Sequence, residues 1–234
     1  MQNEKIDLNC PYPQSYNFIV CHKQSKCLDM FGDLANKVYL SDNKLPGTID
    51  VYNGYDSSRY GELPFWSWIA QHIRPQDFAC LHHYRRKMPP SFGVTLPTPI
   101  QFQGNLAQQM AYYHSPVLSD AIMKTLEPVE QQLFCTQNIL YAYNIALMPG
   151  EILQNMYLPY ITNKITLLEG ILGKDYTPDK TFFEPRAGKR TDAWYQNRIY
   201  GFAMERYNTL FWLQNANLIQ SHKNIILLEP DQKI

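Results

Sequence analysis

The chain has 234 residues, 45% of them hydrophobic and 18% charged, the balance of a packed globular protein rather than a disordered one. Lys plus Arg and Asp plus Glu each number 21, so the formal net charge is zero, which argues against general nucleic-acid binding, where a basic excess is usual. Five cysteines (Cys10, Cys21, Cys27, Cys80, Cys135) with no C-x-x-C pair exclude an obvious disulfide framework or zinc motif and point to reduced thiols.

The start of the chain, Met1 to Asp7, carries acids and no apolar core, so it does not read as a signal peptide. No apolar run approaches the roughly 18 residues needed to span a bilayer. The expectation is a cytoplasmic protein of one large domain, with peripheral contact at the inner membrane left open.

Residues 16–21 predict a first buried strand, followed at once by His22-Lys23. Residues 34–40 fit either a short helix or a strand. From Ser41 to Ser58 the chain is loop-like, with turn signals at Asp42-Asn43, Pro46-Gly47, Asn53-Gly54 and Asp56-Ser57-Ser58. The spacing of Leu63, Trp66, Ile69 and Ala70 predicts a helix from Gly61 that ends before Pro75. A strand over 78–83 follows, so residues 1–90 read as an α/β unit. Residues 88–105 are rich in Pro and Gly, which suits a lid or binding loop as well as a passive surface excursion. The remainder, 106–234, is more helical, with candidates at 116–127, 128–141, 150–169 and 194–214, an irregular stretch over 170–191 and a closing strand at 224–228. The apolar stripe of the last helix, from Trp194 to Leu213, reads as core packing rather than a membrane-resting face.

The most informative stretch is Asp77 to Lys87: an apolar strand that ends in His82, His83, Tyr84, Arg85, Arg86 and Lys87. In open α/β sheets, ligands bind beyond the carboxyl ends of the strands. Adjacent guanidiniums suit phosphate, because each planar fork donates two hydrogen bonds while neutralising charge. A phosphorylated, nucleotide-activated substrate is therefore expected. Side chains alternate along a strand, so only one of His82 and His83 can face the crevice.

The run Gly61-Glu62-Leu63-Pro64-Phe65-Trp66-Ser67-Trp68, followed one loop and strand later by His83-Tyr84-Arg85-Arg86, resembles the signature of a bacterial glycosyltransferase family. That family belongs to capsular polysaccharide, exopolysaccharide and O-antigen gene clusters and was long catalogued as a domain of unknown function. Cys21-His22-Lys23 is similar to its first strand-end element, and Asp56 to Glu62 to its acidic approach to the Trp helix. Tyr143-Asn144-Ile145 resembles its Asn-containing strand, and Gly201 to Arg206 its last helix. Pro64 and Ile145 depart from the family's usual Thr and Met.

The resemblance implies a GT-A-like nucleotide-sugar fold over 1–234, with 1–90 as the nucleotide-binding part and 106–234 as the acceptor side. It implies transfer of a hexose, galactofuranose among the candidates, from a nucleoside-diphosphate sugar, UDP-linked for choice, to a lipid-linked surface-polysaccharide or lipopolysaccharide glycan. The alternative is a non-catalytic carbohydrate-binding or scaffold protein of polysaccharide assembly.

Such transfer builds negative charge on the leaving diphosphate, which many GT-A enzymes meet with a metal ion on an Asp-x-Asp motif. The chain has no Asp-x-Asp. Fixed cations are expected in its place, with no metal and no cofactor; His22 and His83 as a zinc pair lack further ligand spacing. The expected donor and diphosphate set is His22, Lys23, Asp56, His83, Tyr84, Arg85 and Arg86. Asp56, Glu62, Asp192 and Glu205 are candidate bases, with Glu205 and Asp192 ahead. Glu62, Asn144, Arg198 and Arg206 are expected on the acceptor or sugar side. Plainer roles stand beside these: Glu62 as a helix-start carboxylate, Asn144 as a turn cap, Glu205 as an ion-pair partner.

Overall fold

The computed structural model of the chain describes residues 3–22, 26–52 and 55–228. Strand β1 (Ser15–Val20) pairs in parallel with β2 (Lys37–Ser41), which pairs in parallel with β3 (Ile49–Asp50). The segment left open between helix and strand is thus a strand, and its chemistry explains why. Val38 and Leu40 enter the main core while Tyr39 enters a smaller cluster on the other face, an alternation that only extended backbone gives. The expected loop holds a one-turn helix, α1 (Ser57–Tyr60), whose cap Asp56 accepts the Ser58 N–H. Helix α2 (Leu63–His72) then leads to β4 (Phe78–His83), parallel to β1 on the side away from β2. A tight turn at Tyr84-Arg85 returns the chain as β5 (Arg86–Lys87).

The Pro/Gly-rich connection is not one long loop, since it contributes β6 (Thr95–Pro97) and β7 (Ile100–Gln101). Helix α3 (Leu106–Tyr113) falls where the sequence reading assigned none. It buries only Leu106 and Met110, too short a stripe for periodicity, but it opens on a capping box between Asn105 and Gln108. Next come α4 (Pro116–Lys124), α5 (Pro128–Thr136), and β8 (Ile139–Leu140) paired with β7. A 3₁₀ turn over Ala142–Asn144 precedes β9 (Leu147–Pro149), so Tyr143-Asn144-Ile145 is a turn and not the expected strand. A helical run follows as α6 (Gly150–Ile152), a π turn (Leu153–Tyr157) and α7 (Leu158–Leu172). The helix expected over 194–214 is two: α8 (Ala193–Gln196) and α9 (Ile199–Gln214). Strands β10 (Ser221–Lys223) and β11 (Ile226–Leu227) follow.

The main sheet runs β10-β6-β9-β4-β1-β2-β3, with β5 attached to β4 and β11 to β5. It is parallel from β4 to β3 and antiparallel where β9 and β5 meet β4. The architecture is mixed α/β with a helical C-terminal half. Phe18, Val20 and Leu81 share one core with Trp66, Tyr157 and Tyr207. The opposite face carries Ile19, Cys21, Phe31, Tyr39 and Tyr84. Helix α9 is buried almost all round, while Trp194, on α8, is 66% exposed. No helix among the described residues is long and apolar enough to cross a membrane.

The two adjacent histidines point to opposite faces. His82 pairs with Ile19 in register and is buried on that residue's side of the sheet. It lies 3.0 Å from Asn17 Oδ1 through Nε2 and accepts the Met88 N–H at 3.0 Å through Nδ1, which ties the chain leaving β5 back to β1. Burial, then the nearby Lys87 charge, lowers its pKa to about 3. Burial also holds His114, stacked on Phe202 at 3.7 Å, well below the usual imidazole range.

Both rings are neutral in the fold, whereas in the unfolded chain they protonate below about pH 6.5. The unfolded state then binds more protons, so stability falls as pH drops from about 6.5 towards about 3. Urea midpoints should decline between pH 7 and pH 4.5, and the decline should be shallower in His82→Gln. An equal slope in variant and parent would dismiss His82 as a source of acid sensitivity.

Candidate active site

The carboxyl ends of β1 and β4 lie side by side, with Val20 opposite His83. His22, two residues beyond Val20, and His83 therefore project to the face that carries Phe18 and Leu81. Glu62 caps the start of α2 above them. Ligand atoms of His22, Glu62 and His83 all lie within 4.8 Å of one another.

Glu62 is buried and held from two sides. Its Oε2 accepts the Asn144 amide at 2.8 Å, and its Oε1 lies 3.6 Å from Arg198 Nη2. Asn144 reaches this position because the backbone bends sharply, with φ of 72° at Tyr143 and 51° at Asn144. Asn tolerates the left-handed region, whereas a bulky Tyr there is a genuine outlier. Three contacts hold the turn: the Tyr143 N–H donates to Glu205 Oε1 at 3.1 Å, the Asn144 carbonyl accepts Trp66 Nε1–H at 3.0 Å, and the Arg86 guanidinium stacks 4.1 Å from the Tyr143 ring centre. Strain of this kind costs about 1–3 kcal/mol and concentrates at functional sites.

A close approach of two glycines sets the distance between Glu62 and Arg198. The α1–α2 junction rests directly on the first turn of α9, and a Cβ on Gly201 would lie 3.1 Å from Gly61 N. Gly61 itself has φ of 61°. Glu62 follows Gly61, and Arg198 is the cap of α9, so the contact draws their opposite charges together.

Burial dominates the site's electrostatics. It lowers the pKa of His22 to about 4, aided by Arg198 and Arg85 and opposed by Asp42, 4.0 Å away. His83 falls well below the imidazole range through burial, then through His22, Arg86, Arg85 and Arg198. Burial raises Glu62, against the pull of Arg198 and Asn144. The outcome is two neutral imidazoles beside a carboxyl group. His22 keeps a 23% exposed side chain, and its Nδ1 lies 3.4 Å from Ser57 Oγ. Its Nε2 is enclosed and has no hydrogen-bond partner among the described residues.

Arg85 and Arg86 are half-buried at the hairpin turn, so neither extends into open solvent. The Arg85 guanidinium sits 5.3 Å from the ring centre of the buried Tyr84. Lys87 departs from the expected cluster: it turns to the opposite face and pairs with Asp33, leaving two strand-end cations rather than three. Asp56 is a helix cap, and its neighbour Ser57 donates its N–H to Asp42 at 3.0 Å. Asp192 also caps a helix, α8, and pairs with Arg190 at 2.9 Å. Arg206 is buried along α9, donating to the Phe202 carbonyl, to Glu205 and to Gln109. Lys23 lies outside the described residues.

The structure thus gathers His22, Glu62, His83, Asn144 and Arg198, with Arg86 and Glu205 joined to them through Tyr143. Asp192 makes its contacts elsewhere, and Arg206 meets the group only through Glu205. Tyr143 is the member to which the sequence assigned no role; its only mark was its place beside Asn144 in the Tyr143-Asn144-Ile145 run. Beside Tyr143 lies a hollow of about 220 Å³ lined by Pro97, Ala142 and Ile225. A cavity of about 290 Å³, lined by Asn17, Asp33, Cys80 and Met88, opens on the His82 face and holds none of the expected site residues.

No family model and no curated protein matches the chain. Among solved structures, it is similar to the apo structure of the bifunctional glycosyltransferase WbbM, with a TM-score of 0.64 at 14% identity. The fold is similar to that of a glycosyltransferase. The match covers 91% of this chain but 44% of that one, so the chain spans under half of the structure it resembles.

The glycine contact yields a direct test. Gly61→Ala forces an L side chain into a left-handed backbone 3.1 Å from Gly201 Cα, and should destabilise the protein by about 1–3 kcal/mol. An unchanged urea midpoint in this variant would contradict the close approach.

Proposed function

We propose that the chain is a glycosyltransferase that moves a hexose, galactofuranose among the candidates, from a UDP-linked donor to a lipid-linked surface-polysaccharide or lipopolysaccharide glycan. One observation carries the reading. At the carboxyl ends of two parallel central strands, the half-buried Arg85-Arg86 turn and Arg198 surround a buried His22–Glu62–His83 group, on a fold similar to that of a glycosyltransferase.

In the reaction, an acceptor hydroxyl oxygen forms a bond to the anomeric carbon. The bond from that carbon to the phosphate oxygen breaks, and its electron pair leaves with the diphosphate. Arg85, Arg86 and Arg198 meet the growing charge with donors fixed before the reaction begins, which is what makes such stabilisation strong. Glu205 takes the hydroxyl proton. Its carboxylate is oriented by the Tyr143 N–H, yet the side chain stays 21% exposed, so it is both held and reachable. Asp192, which caps α8 and touches none of the gathered residues, is the weaker of the two expected bases, since Glu205, though paired with Arg206, joins them through Tyr143. Neutral His22 and His83 and the Asn144 amide suit sugar hydroxyls. A lipid-linked acceptor would place the protein peripherally at the cytoplasmic face of the membrane. A non-catalytic glycan scaffold would need aromatic and amide surfaces but no cluster of arginines at a strand end.

A thermal-shift screen against UDP-, GDP-, CMP- and dTDP-sugars tests the reading. UDP-sugars should stabilise the protein by about 2.7 kcal/mol at a hundredfold excess over their dissociation constant. Arg85→Ala and Arg86→Ala should weaken that shift, and each should lower turnover by about 10²–10³. Glu205→Gln should fold and lose turnover. Stabilisation by none of the four donors would favour the scaffold.

A further inference from the structure

We infer that His22, Glu62 and His83 together bind one divalent transition-metal ion of the zinc or cobalt class. Each ligand comes from a different element: the end of β1, the start of α2 and the end of β4. Their ligand atoms already lie within 4.8 Å of one another, so small side-chain adjustments bring each to the roughly 2.0–2.2 Å that such an ion needs. Two imidazoles and one carboxylate leave coordination positions open, as reactive sites do and closed structural sites do not. Imidazole-rich donor sets favour zinc, cobalt or iron over magnesium and calcium, which prefer oxygen.

Two further observations point the same way. His22 Nε2 is enclosed without a hydrogen-bond partner among the described residues, which is costly unless something else occupies the nitrogen. The other nitrogen of that ring faces Asp42 at 4.0 Å and Ser57 at 3.4 Å, the outer-shell support a ligating histidine typically has. Asn144 fixes Glu62 in the same way, through the 2.8 Å bond to Oε2. The hydrogen bond from the Arg85 N–H to His83 Nδ1 is long, at 3.3 Å, and yields readily to a stronger partner.

Charge is the main argument against an ion among arginines, and the count bounds it. Arg85, Arg86, Arg198 and Arg206 stand against Glu62, Asp42 and Glu205, with Arg206 paired to Glu205, so an added ion leaves three positive charges. On the transferase reading, a diphosphate offsets them. The ion then sits beside the fixed cations rather than being replaced by them.

The test uses the full chain, stripped with a chelator and titrated with Co²⁺ by visible absorption and with Zn²⁺ by calorimetry. One ion per chain is expected, with a nitrogen- and oxygen-type cobalt spectrum, and Mg²⁺ should give no heat. Glu62→Gln and His83→Asn should each weaken Zn²⁺ binding by more than about tenfold, and Asn144→Ala by about tenfold. His72→Gln and His222→Gln, at exposed histidines, should leave it unchanged. Circular dichroism checks that each variant folds, and His22→Gln, at a partly exposed residue, serves if the buried ones do not. Absence of uptake, a thiolate charge-transfer band, or equal affinity in parent and ligand variants would overturn the site. The donor screen repeated in chelator judges the transferase reading separately.

Discussion

The arrangement at the sheet's carboxyl end depends on one buried carboxylate. Glu62 is almost fully enclosed, and a charge in that position persists only where partners replace the water it has lost. The Asn144 amide and the Arg198 guanidinium are those partners, and they come from distant parts of the chain. Removing either leaves a buried acid with half its support. The requirement explains features that look unrelated: a glycine pair that admits α9 to the α1–α2 junction, and a tyrosine forced into a left-handed backbone so that the next residue can reach inwards.

The sheet supplies the other half of the arrangement. Parallel strands put their carboxyl ends at the same edge, so β1 and β4 deliver His22 and His83 to one place on one face. Alternation sends His82 and Lys87 to the opposite face, where they work as structure: one braces the chain leaving β5, the other pairs with Asp33. Two neighbouring imidazoles of the same chemistry thus have different employment, fixed by a single residue of register.

Much of this was legible in the sequence. The strands through Phe18 and Leu81 and the helix through Trp66 announce themselves by apolar runs and spacing, and the strand end at His83 marks the candidate site. The Tyr143–Asn144 turn was not legible, because its shape is imposed by Trp66, Glu205 and Arg86 rather than by its own residues. Helix α3 was hidden because it buries two side chains only, so its sole local mark was the Asn105–Gln108 cap. The joining of Glu62 to the two histidines was hidden for a third reason. Spacing in sequence reports residues on one element or on neighbouring ones, and these sit on three separate elements.

The hairpin that carries Arg85 and Arg86 is completed from far along the chain. Strand β11 pairs with β5, and the Leu228 N–H donates to the Arg85 carbonyl at 3.0 Å. The β5 edge is therefore closed by a strand distant in sequence, and without it the backbone groups of the arginine turn would stand open as an unpaired sheet edge.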